Sequence, residues 1–166
     1  MAAKYEEIYP PELKELAFIA DKAYTEKEIL VMETHLALAL DYQLTVPTIH
    51  TFLCRYLKAA HADRAMVQLT CYLAERSLQE YGMLRFLPST IAASAVLVAR
   101  ASLQRHPWSP TLLKYTKYDE EDLQSCIQEM QRTFLDPTNN QQQVAVHRKY
   151  SSSKFGSVAK LPLIFN

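Results

Sequence analysis

The side chains able to move protons, hold metal or attack carbon are few in this chain and poorly spaced for joint work. Five histidines, His35, His50, His61, His106 and His147, fall in separate segments, whereas a general acid or base needs its partner within hydrogen-bond reach. The three cysteines, Cys54, Cys71 and Cys126, lack the CxxC spacing of a zinc site and do not suggest a disulfide framework. Cys71 and Cys126 have no evident base to activate them and read as small buried hydrophobes. Glu120-Glu121-Asp122 stands at a helix start, where carboxylates complement the positive end of the helix dipole. No GxSxG, HExxH, P-loop or dinucleotide fingerprint occurs, and each of these leans on a local geometry that the present residues do not supply. The expectation is therefore a protein that is not an enzyme and uses no cofactor, no metal and no small-molecule ligand.

Bulk properties narrow the partners. Eighteen basic residues balance eighteen acidic ones, so no global field draws the chain to nucleic acid or to an anionic membrane, and any partner must be recognised by a local patch. No apolar stretch approaches the ~18 residues needed to span a bilayer. The absence of a leader and the unpaired cysteines suggest an unanchored protein of nucleus and cytoplasm. Only Gly82 and Gly156 are glycines among 166 residues, and hairpins and phosphate-cradling loops depend on glycine for positive φ. An all-α fold is the consequence.

The elements follow from period and punctuation. Lys4-Tyr5-Glu6-Glu7 reads as a turn of charged helix stopped by Pro10-Pro11, since proline lacks the donor N–H and restrains its predecessor. Pro11 to about Asp21 carries Leu13, Leu16, Ala17 and either Ile19 or Ala20 on one side, with proline at its first turn. Thr25 and Glu28 form a capping box, opening a helix to about Tyr42 with Ile29, Met32, Leu36 and Leu40 as its stripe. Thr48 to Ala60 turns Ile49, Phe52, Leu53, Tyr56 and Leu57 inward, and Asp63 to about Tyr81 does so with Met66, Leu69, Leu73 and Leu78, Gly82 supplying the stop. Pro88 to Gln104 is apolar almost all round, as the centre of a bundle must be. Ser109-Pro110 opens a short helix to about Tyr115, and Asp119 caps Glu120 to Leu135 with Leu123, Ile127, Met130 and Phe134 on one face. Asn139 to Tyr150 suggests a last, polar helix. Ser151 to Asn166 reads as an extended, mobile tail.

Several runs in register carry a family resemblance: Lys4-Tyr5-Glu6-Glu7-Ile8-Tyr9-Pro10-Pro11, Thr25-Glu26-Lys27-Glu28-Ile29-Leu30-Val31-Met32-Glu33, and Tyr42-Gln43-Leu44-Thr45-Val46-Pro47-Thr48. With Phe86-Leu87-Pro88-Ser89, His106-Pro107-Trp108, Arg148-Lys149-Tyr150 and Lys154-Phe155, the chain resembles mitotic cyclins, A-type before B-type, over nearly its whole length. The resemblance implies a cyclin fold: one complete five-helix box over residues 46–150, preceded by the last helices of another over 1–45, with a tail at 151–166. It also implies a first box lacking the MRAIL-like docking helix. Met1-Ala2-Ala3 matches the alanine-rich residues before the KYEE-like run in the family, so a truncated sequence is expected, a natural short form being the alternative.

As the resemblance has it, the function is that of a regulatory subunit in cell-cycle progression, binding and activating a cyclin-dependent serine/threonine kinase as a heterodimer. The alternatives are a truncated fragment that activates nothing and a DNA-binding, transcription-factor-like cyclin fold, the latter disfavoured by zero net charge. In the family, residues matching Lys4 and Glu33 reach the kinase C helix and adjoining backbone through charge-assisted hydrogen bonds, worth roughly 1.5–3 kcal/mol each. Beside them, positions matching Tyr5, Ala37, Tyr42 and Leu44 form a pocket for a kinase isoleucine. Ala37 is smaller than the family's usual residue, which leaves contact area unfilled; Leu44 suits a core position equally well.

Overall fold

A computed structural model describes residues 1–105, 108–135 and 144–165, and among them no strand occurs. The helices are α1 (Ala2–Glu6), α2 (Leu13–Ile19), α3 (Glu26–Ala39), α4 (Ile49–Ala59), α5 (Arg64–Ser77), α6 (Pro88–Ser102), α7 (Pro110–Thr116), α8 (Glu120–Phe134) and α9 (Val144–Tyr150), with 3₁₀ turns at Tyr81–Arg85, Ser153–Phe155 and Val158–Lys160. The all-α expectation holds.

Starts are set by side-chain oxygens. Thr25, Thr48, Asp63, Ser109 and Asp119 each accept a backbone N–H of the first turn, and Thr25 with Glu28 completes the expected capping box. Pro11 lies outside α2 instead of in its first turn: Glu12 is the N-cap, in a capping box with Glu15. Ends use a different device. In α2, α3, α4 and α6 the residue after the cap, Asp21, Asp41, His61 and Gln104 respectively, turns left-handed at φ near +50°. The next N–H then reaches back over the last turn: Lys22 to the Ala17 carbonyl, Tyr42 to Ala37, Ala62 to Leu57 and Arg105 to Arg100, at 2.9–3.1 Å. This is the Schellman closure, ordinarily a glycine's place. Without glycine each turn carries roughly 1–2 kcal/mol of backbone strain, and the recovered hydrogen bonds offset it.

The chain divides into two compact units, Met1–Val46 and Pro47–Asn166. In the second, α6 sits at the centre. Ile91 through Arg100 are all buried, and α4, α5 and α8 pack around it. Ala92, Ala93, Ala95 and Ala99 are wholly inaccessible, and their small side chains let the neighbouring helices come close. Leu53 and Tyr56 of α4, Met66, Leu69 and Leu73 of α5, Leu112 of α7, and Leu123, Ile127, Met130 and Phe134 of α8 complete the core. From α4 to α8 the count is five helices, as expected, with the third buried from Ile91 to Arg100. Residues 136–143, and with them the start proposed for the last helix, lie outside the described residues, as do His106 and Pro107.

Three details differ from expectation. Helix α5 stops at Ser77, and Leu78, its C-cap with helical dihedrals, stands five residues from Leu73, round the helix from the buried stripe, so it is 72% exposed instead of lining the core. Gly82 stops no helix. It lies within the 3₁₀ turn, and a Cβ there would stand 2.6 Å from Glu129 Oε1; glycine makes room for a buried carboxylate bound by Arg85 at 2.8 Å and Arg132 at 2.5 Å. The segment from Ser151 is no extended tail either. It turns twice in 3₁₀ form, buries Val158, packs Phe155, Leu163 and Phe165 on the core, and bonds Ile164 N–H to Ser102 Oγ at 2.9 Å.

The first unit is different. None of its residues is buried: of the α3 stripe Ile29 is half-covered, while Met32, Leu36 and Leu40 are exposed. An amphipathic helix whose apolar side meets only a short neighbour cannot cover it.

Candidate functional site

The candidate residues lie in the first unit. The charged turn of α1 ends where Glu7 becomes extended, ahead of Pro10 and Pro11, and this places Lys4 in the last turn, where a cation complements the dipole. Helix α3, fixed at its start by Thr25 and Glu28, carries Glu33 and Ala37 one turn apart on one face. Lys4 Nζ donates to Glu33 Oε2 at 2.6 Å across twenty-nine positions of sequence. The Met1 amino group lies 3.2 Å from the other carboxylate oxygen. Hydrogen bonds from Lys4 and then from that amino group hold Glu33 below the usual carboxylate range, against a smaller opposing effect of burial.

Lys4 and Glu33 are thus engaged with each other. The ammonium has three donors and spends one on Glu33, so two remain for a partner's carbonyls or carboxylates. Its side chain is 58% exposed.

The remaining residues are held by the end of α3. The Schellman turn bonds Tyr42 N–H to the Ala37 carbonyl and Asp41 N–H to that of Leu38; Leu44 N–H returns to the Tyr42 carbonyl. Asp41 and Tyr42 both have positive φ, at 48° and 56°, which reverses the chain and carries it back past α1. There Tyr5 Oη hydrogen-bonds Thr45 Oγ1. Thr45 is a member of this cluster that sequence reasoning did not single out, because nothing local marks a residue forty positions from its partner. Tyr5, Tyr42 and Leu44 are exposed and Ala37 is half-covered. Leu44, at 41% exposure, is not a core residue of this unit. Along α3, Ile29, Val31 and Met32, with Tyr24, Lys27, Glu28 and His35, line an open cavity of about 700 Å³.

Elsewhere, potential catalytic groups are dispersed or engaged. His50 Nε2 lies 3.5 Å from the exposed Cys54 thiol, and burial pushes the Cys126 thiol up to about 11, which suits packing and not attack. Glu120 to Asp122 form the first turn of α8, with Asp122 closing a capping box on Asp119. Among the described residues no group of three or more His, Cys, Asp or Glu side chains could hold a metal ion.

The second unit, all-helical around one buried central helix, has the plan expected of a cyclin box. Sequence comparison agrees: residues 47–163 match the model of the cyclin C-terminal domain and residues 1–45 that of the cyclin N-terminal domain. The chain belongs to the cyclin family. Relatives include Cyclin-A2-1 of Arabidopsis thaliana, 45% identical over 97% of this chain and 38% of the relative. The G2/mitotic-specific cyclin-A of Hydra viridissima is 43% identical over 97% and 39%, and Cyclin-B1-1 of Arabidopsis thaliana 40% identical over 98% and 39%. The chain spans about two-fifths of the length of these relatives.

Proposed function

We propose that this chain is a regulatory subunit that binds and activates a cyclin-dependent serine/threonine kinase in cell-cycle progression, with no chemistry of its own. Membership of the cyclin family and mitotic relatives of both A and B type support it. The observation that carries the reading to residues is the Lys4–Glu33 pair, brought to 2.6 Å across twenty-nine positions of sequence with the Lys4 side chain 58% exposed. Lys4 would donate to the kinase and Glu33 would hold it in place, with Tyr5, Ala37, Tyr42 and Leu44 beside them offering apolar area. Activation would follow from differential affinity, because a subunit that binds the active arrangement of a kinase better than the inactive one shifts the population by that difference and no more.

The test is calorimetric titration of a cyclin-dependent kinase with the wild-type chain and with the double variant Lys4→Glu/Glu33→Lys. The exchange retains attraction between the two side chains while reversing the charges offered to the partner. Affinity should fall at least tenfold, about 1.4 kcal/mol; unchanged affinity removes both residues from the interface.

A second reading, binding without activation, is favoured by the lack of any buried residue in Met1–Val46. A pliable unit can contact a kinase and still fail to hold one state of it. Phosphorylation of a peptide substrate, measured at saturating complex, separates the two.

A further inference from the structure

In the second unit, α4 and α7 flank an open groove of about 630 Å³. Arg55, Lys58 and His61 line it from α4 and the turn that ends it, together with Thr51, and Thr111 and Tyr115 face it from α7. Arg55 and Lys58 are three residues apart on one helical face, as are Thr111 and Tyr115 at four. No carboxylate is among the lining residues. The Arg55 guanidinium carbon lies 5.5 Å from the centre of the Tyr115 ring, a stacking that fixes a long side chain in place while leaving its N–H edge for another acceptor.

This concentration of charge is not what the chain as a whole would give. Net charge is zero, and four cations of this unit are matched at close range, Arg85 and Arg132 by Glu129, Arg105 by Asp63 and Lys149 by Glu75, whereas the groove brings two together with no carboxylate in its lining. Among the described residues neither Arg55 nor Lys58 has an ion pair or a side-chain hydrogen bond to an acidic group. Lys58 lies in the last turn of α4, where the helix dipole accounts for a cation. That does not account for Arg55, a turn earlier and stacked on an aromatic ring.

We propose that this groove docks an acidic peptide segment of a partner protein, its carboxylates taken by Arg55 and Lys58 and its backbone by the Thr51 and Thr111 hydroxyls. A guanidinium is a planar fork that fits a carboxylate with two parallel bonds. The volume is that of a typical ligand site and accommodates a few residues, not a folded domain. Because the groove is open and its cations are exposed, affinity is modest and falls with salt. The site belongs to the second unit alone and does not depend on the kinase reading.

The test is fluorescence anisotropy of a labelled Asp/Glu-rich peptide with the full chain. Saturable binding that weakens with added salt, falls at least tenfold in Arg55→Glu/Lys58→Glu, about 1.4 kcal/mol, and persists in the remote charge control Lys160→Glu is expected. If circular dichroism shows the reversed variant to be unfolded, Arg55→Gln/Lys58→Gln serves, with a smaller loss expected. Undiminished binding in the folded variant overturns the proposal, as does equal weakening by Lys160→Glu. Binding of only a phosphorylated peptide would exchange the occupant for a phosphate and overturn the carboxylate assignment. So would self-association in sedimentation that the Arg55 and Lys58 changes abolish, which would give the groove to a second copy.

Discussion

Leu73→Ala and Leu36→Ala remove the same atoms from two helices of equal length, 14 residues each, and their costs should differ several-fold. Leu73 of α5 is 0% exposed in the core against α6, whereas Leu36 of α3 is 48% exposed. Truncating a wholly buried leucine forfeits the transfer free energy and leaves a cavity, ~3–4 kcal/mol for a site that collapses only in part. At Leu36 about half the transfer contribution remains and no cavity forms, so ~1 kcal/mol or less is expected. For a unit the size of Pro47–Asn166 the first change lowers the melting temperature by roughly 10–15 °C, since each kcal/mol moves it by several degrees. It should also speed amide exchange in Ile91–Val98 by at least ~100-fold, as these amides open only with the core. Amides from Ile29 to Leu40 should be near-unprotected in the wild type already and unmoved by Leu73→Ala. Thermal circular dichroism and hydrogen exchange with mass spectrometry measure both. Equal losses for the two substitutions, or equal protection of α3 and α6, would refute the reasoning, because Leu36 would then be covered in solution.

Ala37→Leu should strengthen the complex with a cyclin-dependent kinase or leave it alone, since Ala37 is only half-covered and has room for methyls; titration showing lost affinity with the fold intact would mean overpacking, which typically costs ~1–3 kcal/mol. In acid, Glu129 should contribute a recognisable loss: hydrogen bonding from Arg132 holds its carboxyl below the ordinary value of 4.5, with burial opposing and the Arg85 charge assisting. A carboxylate lowered on folding stabilises fully above its unfolded pKa and loses that contribution as pH falls through the folded one. The melting-temperature gap between wild type and Glu129→Gln should therefore narrow below about pH 4.5; a constant gap would show that the carboxylate's charge is immaterial.

Much of the fold was legible because helices are local objects. Thr25 with Glu28, and Asp119 before Glu120, mark their starts within four residues, and Ile91 to Ala99 has no polar side to show water. What failed depended largely on contacts distant in sequence. Gly82 looked like a helix stop because glycine usually serves there, yet its neighbour is Glu129, forty-seven positions on, and left-handed Asp41 and His61 do the stopping elsewhere. Leu78, the C-cap of α5, stands five residues from Leu73 and so faces away from the buried stripe. The final segment looked mobile by composition, whereas Val158 and Phe165 found apolar surface that periodicity cannot reveal.

For the site, Lys4 and Glu33 could be named from the family resemblance and nothing in their local chemistry would have chosen them. The sequence by itself determined the helices, their caps and the burial of α6, since each depends on residues within a turn or two and on the exclusion of apolar side chains from water. Only the tertiary structure decided that Lys4 meets Glu33, that Tyr5 meets Thr45, and that Arg55 lies on Tyr115 without a carboxylate nearby. Those contacts join residues dozens of positions apart, and their distances are set by how whole helices and turns pack, which no local spacing encodes.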